Sequence, residues 1–515
     1  MPDNPQKPRE YDAVLGGENP PPFDGAVLGG IEGVKRRIAS KVVEVRIAAL
    51  RDALNYGDAG LDLVIEALQD EATQIKSVAI RLLRKRKEAK AQLALLLHFK
   101  PINPKGYNER GLARKQLGDL QGAIDDFTIA IARYHRNPDY YCNRGLCYQQ
   151  LGDIQEAISD FTKATRVNRK YYDAYFYRGI CLQSLGFFFE AKVDFLDTIE
   201  FNPYSAIAHY KCGLCSDELK QYKLALEYYS EAIQIDPTYP HSYMGRARTN
   251  TTLGNYQKAI EDYSFIIRVD YYSKSLKATA YSYRGAIYDT LENYQQAIKD
   301  ADKSIELKHN NLEQTYENRG ISRYKTGDFQ GALSDFTQAI AINPNYYRAY
   351  NSRGFVKSAM GNNQEAIADF NQAISLNPNY IDAYINSAVS KANLNQFIEA
   401  IADFSRVIES NPQDIDFFYY NRGICHLSRN DYTNAIQDFT QAIDINPNYL
   451  DAYYNRGCCY FYLKDYQSAV NDFGSAIKIN PQYIQAYSAR ANSYIALGEI
   501  IKAEFDFEKV KELEE

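Results

Sequence analysis

The chain has 515 residues, with 59 Lys and Arg against 65 Asp and Glu, and a formal net charge of −6. This balance disfavours nucleic acid and anionic membranes as partners, because both select for a basic surface. No apolar run approaches the roughly 20 residues that span a bilayer, and residues 1–30 lack the basic-then-apolar order of a secretory signal. We therefore expect a cytoplasmic protein with neither a membrane span nor a signal peptide.

The first predicted segment is a flexible leader, residues 1–30, that is rich in Pro and Gly. The sequence AVLGG occurs at residues 13–17 and again at 26–30, with three prolines at 20–22 between the copies. Residues 31–100 follow with apolar residues at helical spacing, which predicts two or three helices. The basic residues 84–87 could contact phosphates there, but a solvated helix face is the favoured interpretation.

Residues 104–515 consist of a repeated pattern. Its reference point is a small residue that follows an Arg slot, here called the anchor, and the twelve anchors are Gly111, Gly145, Gly179, Gly213, Ala247, Gly285, Gly320, Gly354, Ala388, Gly423, Gly457 and Ala491. Neighbouring anchors are 34 or 35 residues apart, except for one interval of 38. An alanine stands twelve residues after every anchor, and a Phe or Tyr stands sixteen after eleven of them. A fixed period of this size indicates stacked two-helix units.

This pattern resembles the tetratricopeptide repeat family over residues 104–515. The resemblance implies an all-α fold, a right-handed superhelical solenoid of twelve helix-turn-helix repeats whose first helices line a concave groove. Tyr fills the leading slot where the family often has Trp, and this chain has no Trp. Residues 31–100 resemble a HEAT-type helical segment, which implies a cap on the first repeat. The duplicated leader is similar to N-terminal segments of bacterial, specifically cyanobacterial, multi-repeat proteins.

Two further slots of the repeat carry charged residues and thiols. An Arg precedes the anchor in ten repeats, and an Asp stands fifteen residues after it in eleven, so we predict structural ion pairs such as Arg456 with Asp472. Five of the eight cysteines stand two residues after an anchor, which predicts buried packing thiols and a reducing compartment. We predict no metal site and no cofactor, and the chain has no phosphate loop or other catalytic motif.

The predicted groove contains recurring amides. Two residues before an anchor stand Asn143, Asn318, Asn386, Asn421 and Asn455, and Asn351 stands one place earlier. An amide can bond both polar groups of a peptide backbone, and the family resemblance places this slot on the concave wall; bonding to the neighbouring helix is an equal alternative. Asp382 and Asp451 occupy slots where peptide-clamping relatives have basic residues, which predicts a mildly acidic groove.

Three places depart from the repeat. Phe187 and Phe189 flank the expected core residue Phe188 and are predicted to form a second, exposed contact patch. Residues 269–280 lengthen one interval and are predicted to form a longer loop. The last repeat ends without an added solvating helix, so its open face could support self-association.

The sequence thus predicts a non-catalytic scaffold that binds extended or helical segments of protein partners in its groove. An RNA-binding helical repeat protein and a regulatory subunit docked on an enzyme are the alternatives. The former requires a net basic inner face and a steep salt dependence, which the charge balance disfavours.

Overall fold

A computed structural model describes residues 29–99 and 101–514. The predicted flexible leader therefore lies outside the described residues, except for its last two positions. Within the described ranges the chain forms α-helices and two short 3-10 helices, and it contains no strand. The fold divides into two compact units, the first ending at Leu253 and the second beginning at Gly254.

The N-terminal segment contains more helices than the sequence predicts. Five α-helices precede the repeats: α1 (Gly30–Ile38), α2 (Val43–Ala53), α3 (Gly57–Glu66), α4 (Thr73–Arg84) and α5 (Ala89–Phe99). The expectation of two or three was wrong because short breaks, such as Gly57 with its φ of 60°, divide one apolar pattern into separate helices. Val34, Leu50 and Ile75 form part of their common core, and α5 packs against the first repeat.

The repeats are helix pairs, numbered 1 to 12 along the chain. The first unit holds repeats 1 to 4 and the first helix of repeat 5: α6 (Pro104–Gln116), α7 (Leu120–Arg133), α8 (Pro138–Leu151), α9 (Ile154–Val167), α10 (Tyr172–Ser184), α11 (Phe188–Phe201), α12 (Ala206–Glu218), α13 (Tyr222–Ile235) and α14 (Pro240–Thr252). Each even-numbered helix is the first of its repeat, and consecutive helices pack against each other.

The second unit continues the pattern through repeat 12. It comprises α15 (Tyr256–Arg268), α16 (Lys274–Thr290), α17 (Tyr294–Glu306), α18 (Leu312–Lys325), α19 (Phe329–Ile342), α20 (Tyr347–Ala359), α21 (Asn363–Leu376), α22 (Ile381–Asn393), α23 (Phe397–Glu409), α24 (Ile415–Ser428), α25 (Tyr432–Ile445), α26 (Leu450–Tyr462), α27 (Tyr466–Ile479), α28 (Ile484–Ala496) and α29 (Ile500–Glu514). The predicted fold class, an all-α solenoid of helix-turn-helix repeats, is confirmed.

The turn inside each repeat uses a left-handed residue seven positions after the anchor. Seven repeats place Gly there, and the other five place Lys220, Glu292, Asn395, Asn430 and Lys464, all with φ between 58° and 64°. This conformation ends the first helix and reverses the chain. A side chain is strained in that region, so the non-glycine turns store unfavourable backbone energy.

In the core of these repeats an aromatic ring packs directly against the anchor glycine. A Cβ built on Gly320 would approach the ring of Phe336 to within 2.7 Å, and the same clash occurs at every anchor glycine whose repeat carries the ring. The alanines twelve residues after the anchor are almost completely buried where the two helices cross. Close packing therefore limits both slots to small residues, Gly or Ala at the anchor and Ala at the second slot.

The predicted ion pairs form, and they also connect repeats. Arg456 donates from Nε and Nη2 to Asp472, at 2.7 and 2.8 Å, and from Nη1 to Thr440 of the preceding repeat at 3.0 Å. The acidic partners are nearly buried. Hydrogen bonding to its Asp438 partner raises the pKa of Arg422. Loss of one partner would leave a buried charge, so these pairs contribute more to stability than exposed ion pairs would.

The insertion at residues 269–280 is not a simple loop. From Lys274 onward it belongs to α16, which has 17 residues. Ser273 caps this helix by accepting a hydrogen bond from the Leu276 amide at 3.2 Å. The loop prediction was wrong because the Ser cap favours helix formation over the residues that follow it.

Candidate functional site

The predicted groove asparagines form hydrogen bonds between or within first helices. Asn386 donates to Asn351 across 3.0 Å, and Asn143 donates to Asn108 at the same distance in the first unit. Asn455 donates to the Tyr420 hydroxyl at 3.1 Å. These four predicted amides therefore bond to a neighbouring first helix, which is the structural alternative given above. Their contact with a ligand stays a prediction.

The remaining two asparagines behave differently. Asn421 donates to the carbonyl of Phe417 on its own helix at 2.7 Å. Asn318 is half-buried, and its side-chain amide makes no hydrogen bond with another described residue. Each amide oxygen or nitrogen without an internal partner is available to a peptide backbone.

One pocket combines the predicted amides with apolar residues. It lies between α18, α20 and α22 of the second unit and has a volume of about 250 Å³. Its lining consists of Ile321, Tyr324, Lys325, Phe336, Asn351, Ser352, Phe355, Val356 and Asn386. Two of the predicted asparagines therefore meet here beside Ile321 and Phe355, the apolar residues that follow their anchors.

The size of the residue two positions before the anchor determines whether this pocket is open or filled. In repeat 8 this slot holds Ser352, and the ring of Phe336, although almost completely buried, contributes to the lining of the pocket. In repeat 6 it holds Tyr283, whose ring lies 5.9 Å from that of Tyr263, and in repeat 3 Tyr177 stacks at 5.9 Å on Phe161. A small residue thus opens a pocket and a tyrosine fills it. Sequence reasoning missed this rule, although the variation at that slot is visible along the chain.

A second pocket follows the same rule near the end of the chain. Ala489 occupies the slot in repeat 12, and a cavity of about 160 Å³ opens beside Phe473. The other lining residues are Cys458, Phe461, Tyr462 and Asn492. A small residue at this slot therefore stands beside both pockets, although the Phe473 ring itself is almost completely buried.

The two predicted aspartates are exposed at the starts of first helices. Asp382 lies in the first turn of α22 and Asp451 in the first turn of α26. A carboxylate there also interacts favourably with the helix dipole, which provides a structural reason for both. The same slot in repeat 8 holds Arg348, which donates to the buried Glu317 at 3.3 Å. The charge at this slot therefore differs from repeat to repeat.

The predicted second patch is larger than expected. Phe187 and Phe189 are 52% and 60% exposed, and Val193 and Leu196 continue the apolar stripe along α11. Sequence reasoning missed the last two, although most repeats have polar residues in those slots. In other repeats the slot of Leu196 holds the side chain that accepts from the next Arg; repeat 4 has Cys212 instead of that Arg. At this junction both positions of the polar contact hold apolar residues instead.

The final helix also exposes apolar residues. Ile501 and Phe505 lie four residues apart on α29 and are 83% and 66% exposed. Phe507, whose equivalents in the preceding ring-bearing repeats are buried, is partly exposed. These residues are compatible with a contact to another chain.

The cysteines are packing residues. All but the half-buried Cys458 are buried, and burial raises the pKa of Cys147 and of Cys181 to about 11. Among the described residues, no group of three or more His, Cys, Asp and Glu could hold a metal ion. Nor does any helix in the described ranges have the length and apolarity needed to cross a membrane.

Comparison with known sequences decides the family. The tetratricopeptide repeat matches nine segments that together cover more than half of the chain: 138–171, 206–239, 278–311, 314–346, 347–380, 381–414, 417–449, 450–483 and 484–515. The chain belongs to the tetratricopeptide repeat family. The matched segments coincide with the helix pairs described above. No curated protein matches the chain.

Several solved structures are similar to this tetratricopeptide repeat protein. YrrB, described as a TPR protein with an unusual peptide-binding site, is 20% identical, with a TM-score of 0.31, and the match covers 37% of this chain and 95% of YrrB. Yeast Tom70 is 18% identical, with a TM-score of 0.32, over 80% and 92% of the two chains. The TPR domain of P58(IPK) is 18% identical, with a TM-score of 0.28, over 77% and 98%.

Proposed function

We propose that this protein binds extended segments of partner proteins along its first helices and performs no catalysis. The pocket between α18, α20 and α22 carries the proposal, because it places the amide of Asn386 and the largely buried amide of Asn351 beside apolar side chains such as Phe355, which is 43% exposed. Amides can bond a peptide backbone while the apolar surface receives a side chain. YrrB, a similar protein, is described as having a peptide-binding site, which is compatible with this function.

The charges near the pocket favour a segment without a strong net charge. Asp382 is exposed on α22, and Lys325 belongs to the lining on α18. Such mixed charges disfavour strongly acidic and strongly basic ligands alike. The buried thiols also support our proposal of a reducing, cytoplasmic location.

The test begins with peptides selected from a random display library on the full chain. Ser352→Tyr should fill the pocket as Tyr283 does in repeat 6, and we expect at least a tenfold loss of affinity, on the order of 1.4 kcal/mol. Tyr283→Ser is the matched control, because it changes the same slot elsewhere and leaves the pocket intact. Equal binding to Ser352→Tyr and to the unaltered protein would reject the pocket.

We also propose that the C-terminal helix meets a second copy of the chain. The exposed Ile501 and Phe505 on α29 support this proposal. Burial of such side chains between two molecules is favourable by roughly 1.5–3 kcal/mol for each one fully covered.

A further inference from the structure

Repeat 6 lacks the ring that fills the core of every other repeat. Ala301 stands sixteen residues after Gly285, where eleven repeats have Phe or Tyr. A Cβ built on Gly285 would meet no ring; its nearest neighbours are the Ala297 carbonyl oxygen and the Asp300 Cβ at 3.3 Å. The missing side chain leaves a cavity of about 80 Å³ between α16, α17 and α18.

The cavity is polar on one side. Asp289, Thr315, Ser282 and Ser322 all contribute to its lining, and the last three are buried. Ser322 donates to Asp289 Oδ1 at 2.6 Å. Among the described residues, no cation lies within ion-pair distance of Asp289. Its second oxygen can therefore accept a further hydrogen bond.

Repeat 4 shows what this arrangement accommodates. There the ring of Tyr229 lies against Gly213, and its hydroxyl donates to Asp217 Oδ2 at 2.7 Å. Thr249 of the next repeat donates to Asp217 Oδ1 at 2.8 Å.

Each polar member of that arrangement has a counterpart in repeat 6. Asp289, like Asp217, stands four residues after its anchor, and these are the two repeats with Asp in that slot. Ser322, like Thr249, stands two residues after the next anchor and donates to the carboxylate. Besides the phenol, two neighbours differ between the two repeats. Gly245, against which the Tyr229 ring also lies, corresponds to Asn318. Arg248, whose Nη2 lies 3.9 Å from Asp217 Oδ2, corresponds to Ile321.

We infer that this cavity binds the phenol of a tyrosine side chain on a partner segment. The ring would occupy the space that Ala301 leaves above Gly285, and its hydroxyl would donate to Asp289. Ala286, Asn318 and Ile321 line the cavity and are half-buried, so the site is open at the first-helix surface. This inference rests on the proposed peptide-binding function and names the side chain that one site selects.

The first experiment measures binding of p-cresol and toluene to the full chain by saturation-transfer NMR. p-Cresol should bind about tenfold or more tightly than toluene, because only its hydroxyl can bond the carboxylate. Ala301→Tyr should abolish p-cresol binding and raise the melting temperature. Asp289→Asn should lower the affinity for p-cresol severalfold or more and leave toluene unchanged.

A second comparison identifies the source of the phenol. Ac-Gly-Tyr-Gly-NH2 should bind the unaltered protein and lose affinity in Asp289→Asn, whereas Ac-Gly-Phe-Gly-NH2 should bind weakly to both. Binding of p-cresol without binding of the tyrosine peptide would overturn the assignment to tyrosine.

Other results overturn the site itself. These are undetectable p-cresol binding, equal affinities for p-cresol and toluene, and unchanged p-cresol binding in Ala301→Tyr. If Ala301→Tyr does not fold, Asp289→Asn decides. Ser352→Tyr should leave p-cresol binding intact, so failure of the peptide pocket and failure of this cavity are distinguishable.

Discussion

Asn386 donates a hydrogen bond to Asn351 across 3.0 Å, which joins the amides of two consecutive first helices. We predict that Asn351→Ala combined with Asn386→Ala lowers the affinity for selected peptides about tenfold or more, because both amides line the pocket. Isothermal titration calorimetry measures the change. Asn143→Ala, which removes a similar bond in the first unit, is the control and should leave affinity unaltered; equal losses in both would contradict the prediction.

Breaking one buried ion pair should destabilise the second unit strongly. Arg456 and Asp472 have side chains that are only 15% and 8% exposed. Arg456→Ala should therefore cost about 3–5 kcal/mol, because it leaves Asp472 charged, buried and without its cation. Urea unfolding followed by circular dichroism measures this.

The control for that experiment is an exposed pair in the same unit. Lys303→Ala removes the partner of Glu306 within one helix and should leave the urea midpoint nearly unchanged, because both side chains are exposed. Similar shifts in the two urea midpoints would show that the buried ion pair contributes no more to stability than the exposed one.

Replacing a strained turn residue with glycine should stabilise the protein. Lys464 has a φ of 64° at the turn inside repeat 11. Lys464→Gly should therefore raise the free energy of unfolding by up to about 1 kcal/mol, because glycine adopts this conformation without strain. Gly327→Lys in repeat 7 should have the opposite effect. A fall in melting temperature for Lys464→Gly would refute the argument.

Alkaline pH should destabilise the fold. Burial raises the pKa of Cys147 to about 11, above the roughly 8.5 of a free thiol. Between these values the unfolded chain releases the proton and the folded chain keeps it, so stability falls as pH rises from about 8.5 to 11. Urea midpoints at pH 7.5 and 10 test this, and a higher midpoint at pH 10 would contradict it. Cys147→Ala should weaken the dependence.

The C-terminal helix offers a test of self-association. Ile501→Gln with Phe505→Asp should shift the chain from dimer to monomer, because it removes the exposed apolar pair on α29. Light scattering after size exclusion measures the mass at several concentrations. Ile398→Gln, an exposed isoleucine in the equivalent slot of α23, is the control. A monomeric unaltered protein at high concentration would end the proposal.

Much of the fold could be predicted from the sequence because every repeat packs its two helices in the same way. A small anchor and a ring sixteen residues later, as in Gly320 and Phe336, specify one helix pair wherever they recur. The N-terminal helices were less predictable, since they lack a period and end at isolated breaks such as Gly57. The Ser-capped start of α16 was also not predicted, because it does not follow the period of the repeat.

The candidate site was only partly predictable. Asn351 and Asn386 were predicted because asparagines recur near the anchors. The pocket beside them depends on Ser352, a single small residue that does not recur as a motif. The patch on α11 was found at Phe187 and Phe189 and missed at Val193 and Leu196. A periodic signal reveals what repeats share, whereas binding surface depends on what one repeat changes.

The arginine that reaches back to the preceding repeat has an evolutionary consequence. Because Arg456 and its equivalents meet a matching acceptor at most junctions, whole units can be duplicated or lost by recombination and the new neighbours still fit. The junction between repeats 3 and 4, where Leu196 and Cys212 occupy these positions, lacks this hydrogen bond. The junctions at Ser387 and at Gly474 lack it as well, so the units next to these three junctions are less interchangeable than the others.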